Sequence, residues 1–392
     1  MTPFSSRTPP SLAPNALWAR AQSLREAGAR LIDLTLSNPT RAGLAYPETE
    51  ILEALSDPRA LRYEPCPNGH PEARQAVAEW HGRHGAAVDA QDLVLASSTS
   101  EAYSWLFKLL CEPGDAVMTP RPSYPLFECL AALEGVRAVQ YPLSEECGWR
   151  VDVAALEPCL DRRARAVVVV NPNNPTGTYL RGEDWLRLQE FAALRGLAVI
   201  VDEVFYDYSW RASTARVSSL APPHLALTFT LSGLSKTAGL PQMKLGWIHV
   251  AGPEPSRREA LDRLEWIADA YLPAAAPVQL AARRWLELAP VVQERILTRV
   301  VGNWAVLDQL VSRTPAWRVS QPEGGWTALL EAPRICSEED WALRFLDEAQ
   351  VLVQPGYFYD FEREAFLAAS LLPAPEEFSE AMTRLYEIFR SV

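Results

Sequence analysis

Lysine is almost absent from this sequence. Only three of the 37 lysine and arginine residues are lysines, namely Lys108, Lys236 and Lys244. A desolvated lysine can lose its proton and act as a nucleophile, whereas arginine keeps its charge in proteins. Each retained lysine is therefore a candidate for chemistry that arginine cannot perform.

An excess of positive charge is missing as well. The net charge of −12 excludes nucleic-acid binding as the main function. No apolar run approaches the roughly 18 residues of a membrane-spanning helix, and the N-terminus lacks the pattern of a secretory signal. The six cysteines are scattered without a CxxC pair, which is typical of reduced thiols rather than of a disulfide framework or zinc site. We therefore expect a cytoplasmic protein without a metal site that binds neither nucleic acid nor a membrane.

Strand-like and helix-like segments alternate from about residue 71 to residue 250. Continuous apolar runs such as DLVLA at 92–96, ARAVVVVNP at 164–172 and LAVIVDE at 197–203 are typical of strands buried on both faces. Helical periodicity occurs between them. This alternation predicts an α/β fold with a mostly parallel sheet and helices on both of its faces.

The pattern changes after about residue 255. Two long helical segments are predicted at 255–286 and 288–312, followed by a β-rich stretch at 316–332. A helix near 338–348 and a final helix at 375–390 complete the chain. We expect this part to form a smaller α+β domain on which the N-terminal helix packs.

Four polar segments follow predicted strands. They are SSTSEA at 97–102, VNPNNPTGTYL at 170–180, VDEVFYDY at 201–208 and LSGLSKTAGLPQMKLGW at 231–247. The carboxyl ends of parallel strands lie at one edge of a sheet, where ligands of open α/β folds bind. The hydroxyls of the first segment precede a helix, and a helix N-terminus is a natural phosphate site. These segments therefore predict one shared pocket.

The ordered set NPxNPTG, a strand ending in DE, and S-K followed by GxxxxKxG resembles the fold-type I class I and II aminotransferases, which use pyridoxal phosphate (PLP). The resemblance runs from about Leu31 to about Leu385. It implies a large domain with a mostly parallel seven-stranded sheet flanked by helices, and a smaller α+β domain built from the two chain ends. The implied units are an N-terminal segment, 1–45, a large PLP-binding domain, 46–280, and a small C-terminal domain, 281–392.

The resemblance also assigns cofactor contacts. Lys236 would form the Schiff base with PLP and carry the substrate proton. Asp202 would pair with the pyridine nitrogen, Asn174 would donate to the phenolic oxygen, and Tyr124 would stack on the ring. Ser98, Thr99, Ser235 and Lys244 would hold the phosphate. Tyr63 would reach the phosphate of a neighbouring subunit, which implies a homodimer with shared sites. Ser37, Asn38 and Trp326 would lie at the substrate.

Four positions depart from the family pattern. Phe205 replaces a tyrosine, Ser37 replaces a glycine, and Gly233 stands where serine is usual. Ala368 occupies the position of the arginine that holds the substrate carboxylate. A bidentate arginine strongly determines the orientation of a substrate carboxylate. With alanine in its place, we expect a pocket there with less charge and more space.

Two explanations of the missing arginine remain open. Either the substrate is not a common α-amino acid, or another arginine holds the carboxylate, with Arg41, Arg121 and Arg363 as candidates. The expected reaction is transamination between an amino donor, an amino acid or amine, and a keto acceptor. Elimination as in C–S lyases, decarboxylation and cyclisation are alternatives. A non-catalytic PLP-binding module, which would need an attached DNA-binding segment, is disfavoured by the acidic charge.

Overall fold

Eight strands form the central sheet of the computed structural model. The structure describes residues 4–9, 11–211, 213–272, 274–313 and 317–390. The strands of this part are β1 Ile32–Asp33, β2 Leu93–Ala96, β3 Ala116–Arg121, β4 Arg137–Ser144, β5 Arg150–Val151, β6 Ala164–Val170, β7 Ala198–Asp202, β8 Thr228–Gly233, β9 Gly246–Ala251, β10 Arg318–Val319, β11 Thr327–Glu331, β12 Val351–Leu352, β13 Gln354–Pro355 and β14 Phe366–Ser370. The order in the central sheet is β2-β9-β8-β7-β6-β3-β4-β5. Strand β9 is antiparallel to both of its neighbours, β2 and β8. Neighbouring strands in the series β4-β3-β6-β7-β8 pair in parallel, and β5 pairs antiparallel with β4.

Helices cover both faces of this sheet. The helices are α1 Ala16–Glu26, α2 Glu48–Glu53, α3 Pro71–Arg83, α4 Thr99–Leu110, α5 Leu126–Leu133, α6 Val153–Leu156, α7 Gly182–Arg195, α8 Leu234–Thr237, α9 Ser256–Tyr271, α10 Ala276–Val311, α11 Glu338–Ala349 and α12 Pro375–Arg390. Helices α4, α5 and α9 pack on one face, and α3, α7 and α10 pack on the other. The mostly parallel α/β sheet predicted from the sequence is therefore confirmed. None of the helices described combines the length and apolarity needed to cross a membrane.

The strand count differs from the seven that the family resemblance implies. The additional strand is β5, which has two residues and forms an antiparallel hairpin with the end of β4. Trp149, in the turn between them, has a φ of +65°. A pair of residues is too short to show a period, so β5 leaves no signal in the sequence.

The two long helices also divide at a different point. The predicted break near residue 287 is wrong, because α10 runs without interruption from Ala276 to Val311 and contains Pro290. The break lies instead after α9, at Leu272, where φ is +68°. Pro290 lies on the exposed side of α10, while Ala289 and Val292 continue the buried stripe beside it. This continuous packing outweighs the loss of one backbone hydrogen bond at the proline.

A second sheet lies towards the C-terminus of the chain. It is antiparallel, with the order β10-β11-β14-β13, and β1 pairs in parallel with β12. Leu17 and Ala21 of α1 belong to the same buried cluster as Trp341 of α11 and Leu385 of α12. The predicted boundary at 280/281 falls within α10. The division into the three ranges stays a prediction.

Ser370, at the end of β14, attaches the N-terminal loop to this second sheet. Its backbone N–H donates to the carbonyl of Leu34 at 2.6 Å, and its hydroxyl donates to the carbonyl of Leu36 at 2.5 Å. The same hydroxyl accepts from the N–H of Leu372 at 3.1 Å. These bonds attach the segment that carries Ser37 to Ser370, which lies two residues after Ala368 in β14.

We expect Ser370→Ala to lower the free energy of unfolding by about 1–3 kcal/mol, because it leaves two backbone groups without a partner at a buried position. Urea unfolding followed by tryptophan fluorescence measures this change. Ser379→Ala is the matched control, since the Ser379 hydroxyl has no hydrogen-bond partner in the described part of the chain. Equal unfolding curves for the two variants would contradict the role assigned to Ser370.

Candidate active site

The four polar segments meet at one edge of the central sheet. The ends of β2, β6, β7 and β8 lie there and lead into the segments that carry Ser98, Asn174, Asp202 and Lys236. Strand β9 is antiparallel, so its start lies at the same edge and brings Lys244 with it. The shared edge that the sequence predicts is present in the structure.

Lys236 lies in the short helix α8 with its amine between aromatic rings. Its Nζ is 4.8 Å from the ring centre of Trp326 and 5.3 Å from that of Phe205. It donates to the backbone carbonyl of Ser37 at 3.3 Å. Burial lowers the pKa of Lys236 to about 8, and the charge of Asp202 opposes that change. The amine is therefore much closer to neutrality at physiological pH than an exposed lysine.

Asp202 ends β7 and is buried on the side of the sheet that α4 covers. Its Oδ2 accepts from the hydroxyl of Tyr103 at 3.2 Å, and its Oδ1 accepts from the N–H of Val204 at 3.1 Å. Burial raises the pKa of Asp202 to about 6. A buried carboxylate with two neutral donors is suited to a cationic N–H group as a further partner.

Asn174, Phe205 and Trp326 line one narrow cleft beside Lys236. Trp326 is 4% exposed, and its Nε1 has no hydrogen-bond partner among the residues described. Its ring packs edge-on against Phe205, with 5.1 Å between the ring centres. Burial raises the pKa of Tyr124, and the charge of Asp202 adds to that effect. A buried indole N–H without a partner is a donor available to a ligand.

The start of α4 lies against the start of β9. Ser98 caps α4, because its hydroxyl accepts from the N–H of Glu101 at 3.1 Å. A Cβ at Gly246 would lie 3.1 Å from the backbone nitrogen of Thr99, so the close approach of the two elements depends on glycine. Lys244 is exposed nearby with a φ of +52°. Backbone N–H groups at a helix N-terminus, hydroxyls and a cation are groups that suit an anion.

Gly233 has a steric explanation. Its backbone is extended, and a Cβ there would lie 2.9 Å from the carbonyl oxygen of Leu245 and 3.0 Å from the Cα of Gly246. The serine that is usual at this position has no room in this chain. Ser235, which follows in α8, is half-buried.

Some predicted site residues are not brought to the lysine within one chain. Tyr63 is 78% exposed in the loop before α3. The Asn38 side chain faces its own turn, where Oδ1 accepts from the N–H and hydroxyl of Thr40. Tyr206 points away from Lys236 and packs against Tyr179 with 5.6 Å between ring centres. It therefore does not replace the hydroxyl that Phe205 lacks.

Ala368 is enclosed by neighbouring side chains. Ala368 lies in the middle of β14, is 2% exposed and packs in one cluster with Leu329 and Tyr359. The Tyr359 hydroxyl donates to Oε1 of Gln354 on the neighbouring strand. The neighbours of Ala368 are therefore apolar and phenolic side chains, and the expectation of less charge and more space stays a prediction.

The three arginines considered as replacements have other partners or lie at the surface. Arg363 pairs with Glu145 and Glu331. Arg121 pairs with Glu362 at 2.5 Å, although its buried Nε has no partner among the described residues. Arg41 is exposed.

Two tyrosines at the site were not anticipated. Tyr103 bonds to Asp202, and Tyr208 donates from its hydroxyl to the backbone carbonyl of Lys236 at 2.6 Å. Both are buried, and their sequence context is typical of aromatic residues in a hydrophobic core. Tyr103 lies one helical turn after Thr99, and that spacing is the one signal that relates it to the sheet edge.

These donors fit pyridoxal phosphate. The start of α4 suits a phosphate, buried Asp202 suits a protonated ring nitrogen, and Lys236 offers an amine with a lowered pKa. The fold and the site define a PLP-dependent enzyme of fold type I. The family model for aminotransferase class I and II matches residues 30–385. The chain belongs to the class I and II aminotransferases, and it is a PLP-dependent aminotransferase.

Similar proteins carry related names. Glutamate-pyruvate aminotransferase AlaA of Haemophilus influenzae is 27% identical over 380 residues, which cover 93% of this chain and 92% of that protein. Alanine aminotransferase of Mycobacterium tuberculosis is 28% identical over 387 residues, covering 93% and 87%. The solved alanine aminotransferase from Pyrococcus furiosus superposes with a TM-score of 0.86 at 24% identity, over 96% of each chain. Among the reaction types considered, these names support transamination.

We expect the reactivity of Lys236 towards acetic anhydride, in protein freed of its cofactor, to rise with pH through a midpoint of about 8. Only the neutral amine reacts, and burial disfavours the charged form. Peptide mass spectrometry distinguishes acetylation of Lys236 from acetylation of Lys108 and Lys244. The other two lysines are controls for the activity of the reagent at each pH. Asp202→Asn removes the anion that opposes the lowered pKa, so the midpoint should move to lower pH. A midpoint above pH 10 would contradict this description of the site.

Proposed function

We propose that Lys236 holds PLP covalently through its amine and moves the substrate proton. When bound, PLP withdraws electrons from the carbon that carries the amino group. The lowered pKa of Lys236 supports this role, because a neutral amine is both a nucleophile and a base. The Tyr208 hydroxyl holds the backbone of the lysine, and Asp202 would keep the ring nitrogen protonated with Tyr103 as its positioning residue.

The remaining cofactor contacts follow from the same edge of the sheet. Asn174 and Tyr124 would contact the ring. With Phe205 in place of tyrosine, the ring's phenolic oxygen would have one phenol donor fewer. The phosphate would lie at the start of α4, held by the four residues Ser98, Thr99, Ser235 and Lys244. A lysine at position 244 supplies charge without a bidentate fork.

We also propose a homodimer in which Tyr63 of the partner subunit reaches the phosphate. The support is an exposed apolar patch on one side of the chain. The loop that carries Tyr63 is joined to α9 by a hydrogen bond from Asn68 to Glu265 at 2.7 Å. Exposed apolar residues in or beside these two joined segments are Leu61, 92%, Tyr63, 78%, Trp266, 74%, Tyr271, 52%, and Leu272, 56%. A patch of this kind is typical of an interaction surface. A cytoplasmic location is proposed from the cysteine pattern alone.

The proposed substrate is an amine without a carboxylate on its reacting carbon, which is the group that the family's arginine would bind. Ala368, buried against Leu329 and Tyr359, is the observation on which this depends. The donors left near Lys236 are neutral, with Trp326 Nε1 unpartnered beside Asn174. The competing candidate is alanine or glutamate, by analogy with the relatives' names, with Arg121 Nε as the carboxylate donor.

We expect borohydride reduction of the holoenzyme to fix the cofactor to the peptide that contains Lys236. Lys236→Arg keeps the positive charge but cannot form the bond, so the variant should give no labelled peptide. Mass spectrometry of the digest measures the label. Because the chain has only three lysines, label at Lys108 or Lys244 would overturn the assignment without ambiguity.

We expect 4-aminobutanoate to react with the bound cofactor at lower concentration than L-glutamate. The two compounds differ in the α-carboxylate, which 4-aminobutanoate lacks. Burying that carboxylate without a partner costs several kcal/mol, so the concentrations should differ by about a hundredfold or more. Loss of the cofactor's visible absorbance measures the reaction. The pair 2-phenylethylamine and L-phenylalanine repeats the comparison with an apolar side chain.

The competing candidate gives the opposite order in these titrations. If Arg121 holds the carboxylate, glutamate should react more readily than 4-aminobutanoate, and Arg121→Met should abolish that preference. Arg363→Met is the matched control, because Arg363 is already paired with two carboxylates. A preference for the amino acids in the parent enzyme would reject the proposed substrate class, while labelling of Lys236 would be unaffected.

A further inference from the structure

A second cavity, of about 450 Å³, lies on the opposite face of the central sheet from Asp202. Side chains alternate between the faces of a strand. Asp202 therefore faces α4, while Glu203, Thr230 and Ser232 line the cavity on the other face. Its remaining walls include the end of α3, with His81 and His84, and the residues Tyr206, Asp207, Arg216, Val217, Ser218, Leu220, Ala221 and Pro222. None of the cofactor-site residues discussed above lines it.

Some of its polar groups already have partners. The Glu203 carboxylate accepts from Asn171 Nδ2 at 2.8 Å, from the Ser218 hydroxyl at 2.7 Å and from the Ser219 N–H at 2.7 Å. Trp247 Nε1 donates to His81 Nε2 at 3.1 Å. These two side chains are explained by the internal hydrogen bonds of the fold and need no ligand.

Arg216 has no such explanation. Its guanidinium lies over the ring of Tyr179, with 5.2 Å from Cζ to the ring centre, and it forms no hydrogen bond or ion pair with the residues described. Its Nη1 is buried without a partner. A buried guanidinium N–H that donates to nothing costs free energy, and a bound anion would remove that cost.

Asp207 supplies the opposite charge in the same cavity. It lines the cavity together with His84. No ion pair within 4.0 Å joins Asp207 to Arg216 in the described part of the chain. His84 donates from Nδ1 to the carbonyl of Trp80 at 2.7 Å, which leaves its Nε2 as an acceptor in the neutral ring. The cavity thus holds a cation and an anion that are separated from each other.

We propose that this cavity is a second ligand site that takes a small zwitterion. The ligand's anionic group pairs with Arg216, and its ammonium group pairs with Asp207 and donates to His84. One molecule with both charges pairs with Arg216 and Asp207 at once, whereas a simple anion leaves Asp207 without a cation. The volume is sufficient for a compound of amino-acid size.

The probe is N,N-dimethylglycine, whose tertiary ammonium carries a charge but cannot form an imine at the cofactor. Titration calorimetry of the holoenzyme should give saturable binding of one molecule per chain. Acetate and trimethylammonium, which each carry one of the two charges, should bind at least about tenfold more weakly, because each leaves either Arg216 or Asp207 without a counter-charge. Acetate binding as strong as that of the zwitterion would reject the proposal, as would the absence of binding by all three compounds.

Variants locate the binding. Arg216→Leu should weaken binding of N,N-dimethylglycine by about tenfold or more, because it removes the charge-assisted hydrogen bonds. Arg187→Leu is the matched control, since Arg187 is exposed on α7 and does not line the cavity. Arg216→Lys keeps the charge and should retain most of the affinity. Unchanged binding in Arg216→Leu would overturn the site. If that variant does not fold, Asp207→Asn should lose the preference for the zwitterion over acetate, and keeping that preference would equally overturn the proposal.

Discussion

Two buried groups of opposite charge at the ends of neighbouring parallel strands determine the character of this protein. Asp202 ends β7 and Lys236 follows β8, and the pairing of the two strands holds them at one edge. Burial disfavours the charged form of each, so it raises the pKa of Asp202 and lowers the pKa of Lys236. In the native fold their mutual attraction offsets only part of this desolvation. A bound group that offers a cationic N–H to Asp202 and an electrophilic carbon to Lys236 would relieve both, which is a physical reason for the fit to PLP.

The surroundings of the lysine are aromatic rather than ionic. Trp326 and Phe205 lie beside its amine, and Tyr359 and Leu329 close over Ala368. In such a wall a neutral donor such as the indole N–H of Trp326 has to supply orientation in place of a guanidinium. Removing the arginine alone would leave a cavity, with its cost in free energy. The phenol and its bond to Gln354 avoid that cost, so the substitution at position 368 and its neighbours act as one unit.

The two chain ends converge on the same lysine. Ser370 holds the carbonyl of Leu36, and the carbonyl of the next residue, Ser37, accepts from Lys236. The N-terminal loop is therefore a wall of the site that exists only while β14 and the loop are attached. The opposite face of the sheet is organised differently. There Glu203 is hydrogen-bonded inside the fold, while Arg216 and Asp207 line the same cavity without forming an ion pair with each other.

The sequence by itself determined the alternation of strands and helices, the family, and the meeting of four segments at one sheet edge. These depend on local periodicity and on motif order, which are properties of neighbouring residues. Only the tertiary structure decided that Tyr103 reaches Asp202, that Leu245 leaves no room for a side chain at Gly233, and that α10 continues through Pro290. The same holds for Tyr359, which lies nine residues before Ala368 in the chain yet fills the space beside it. These outcomes depend on which side chains the folded chain brings into contact, and close packing rather than local preference decides those contacts.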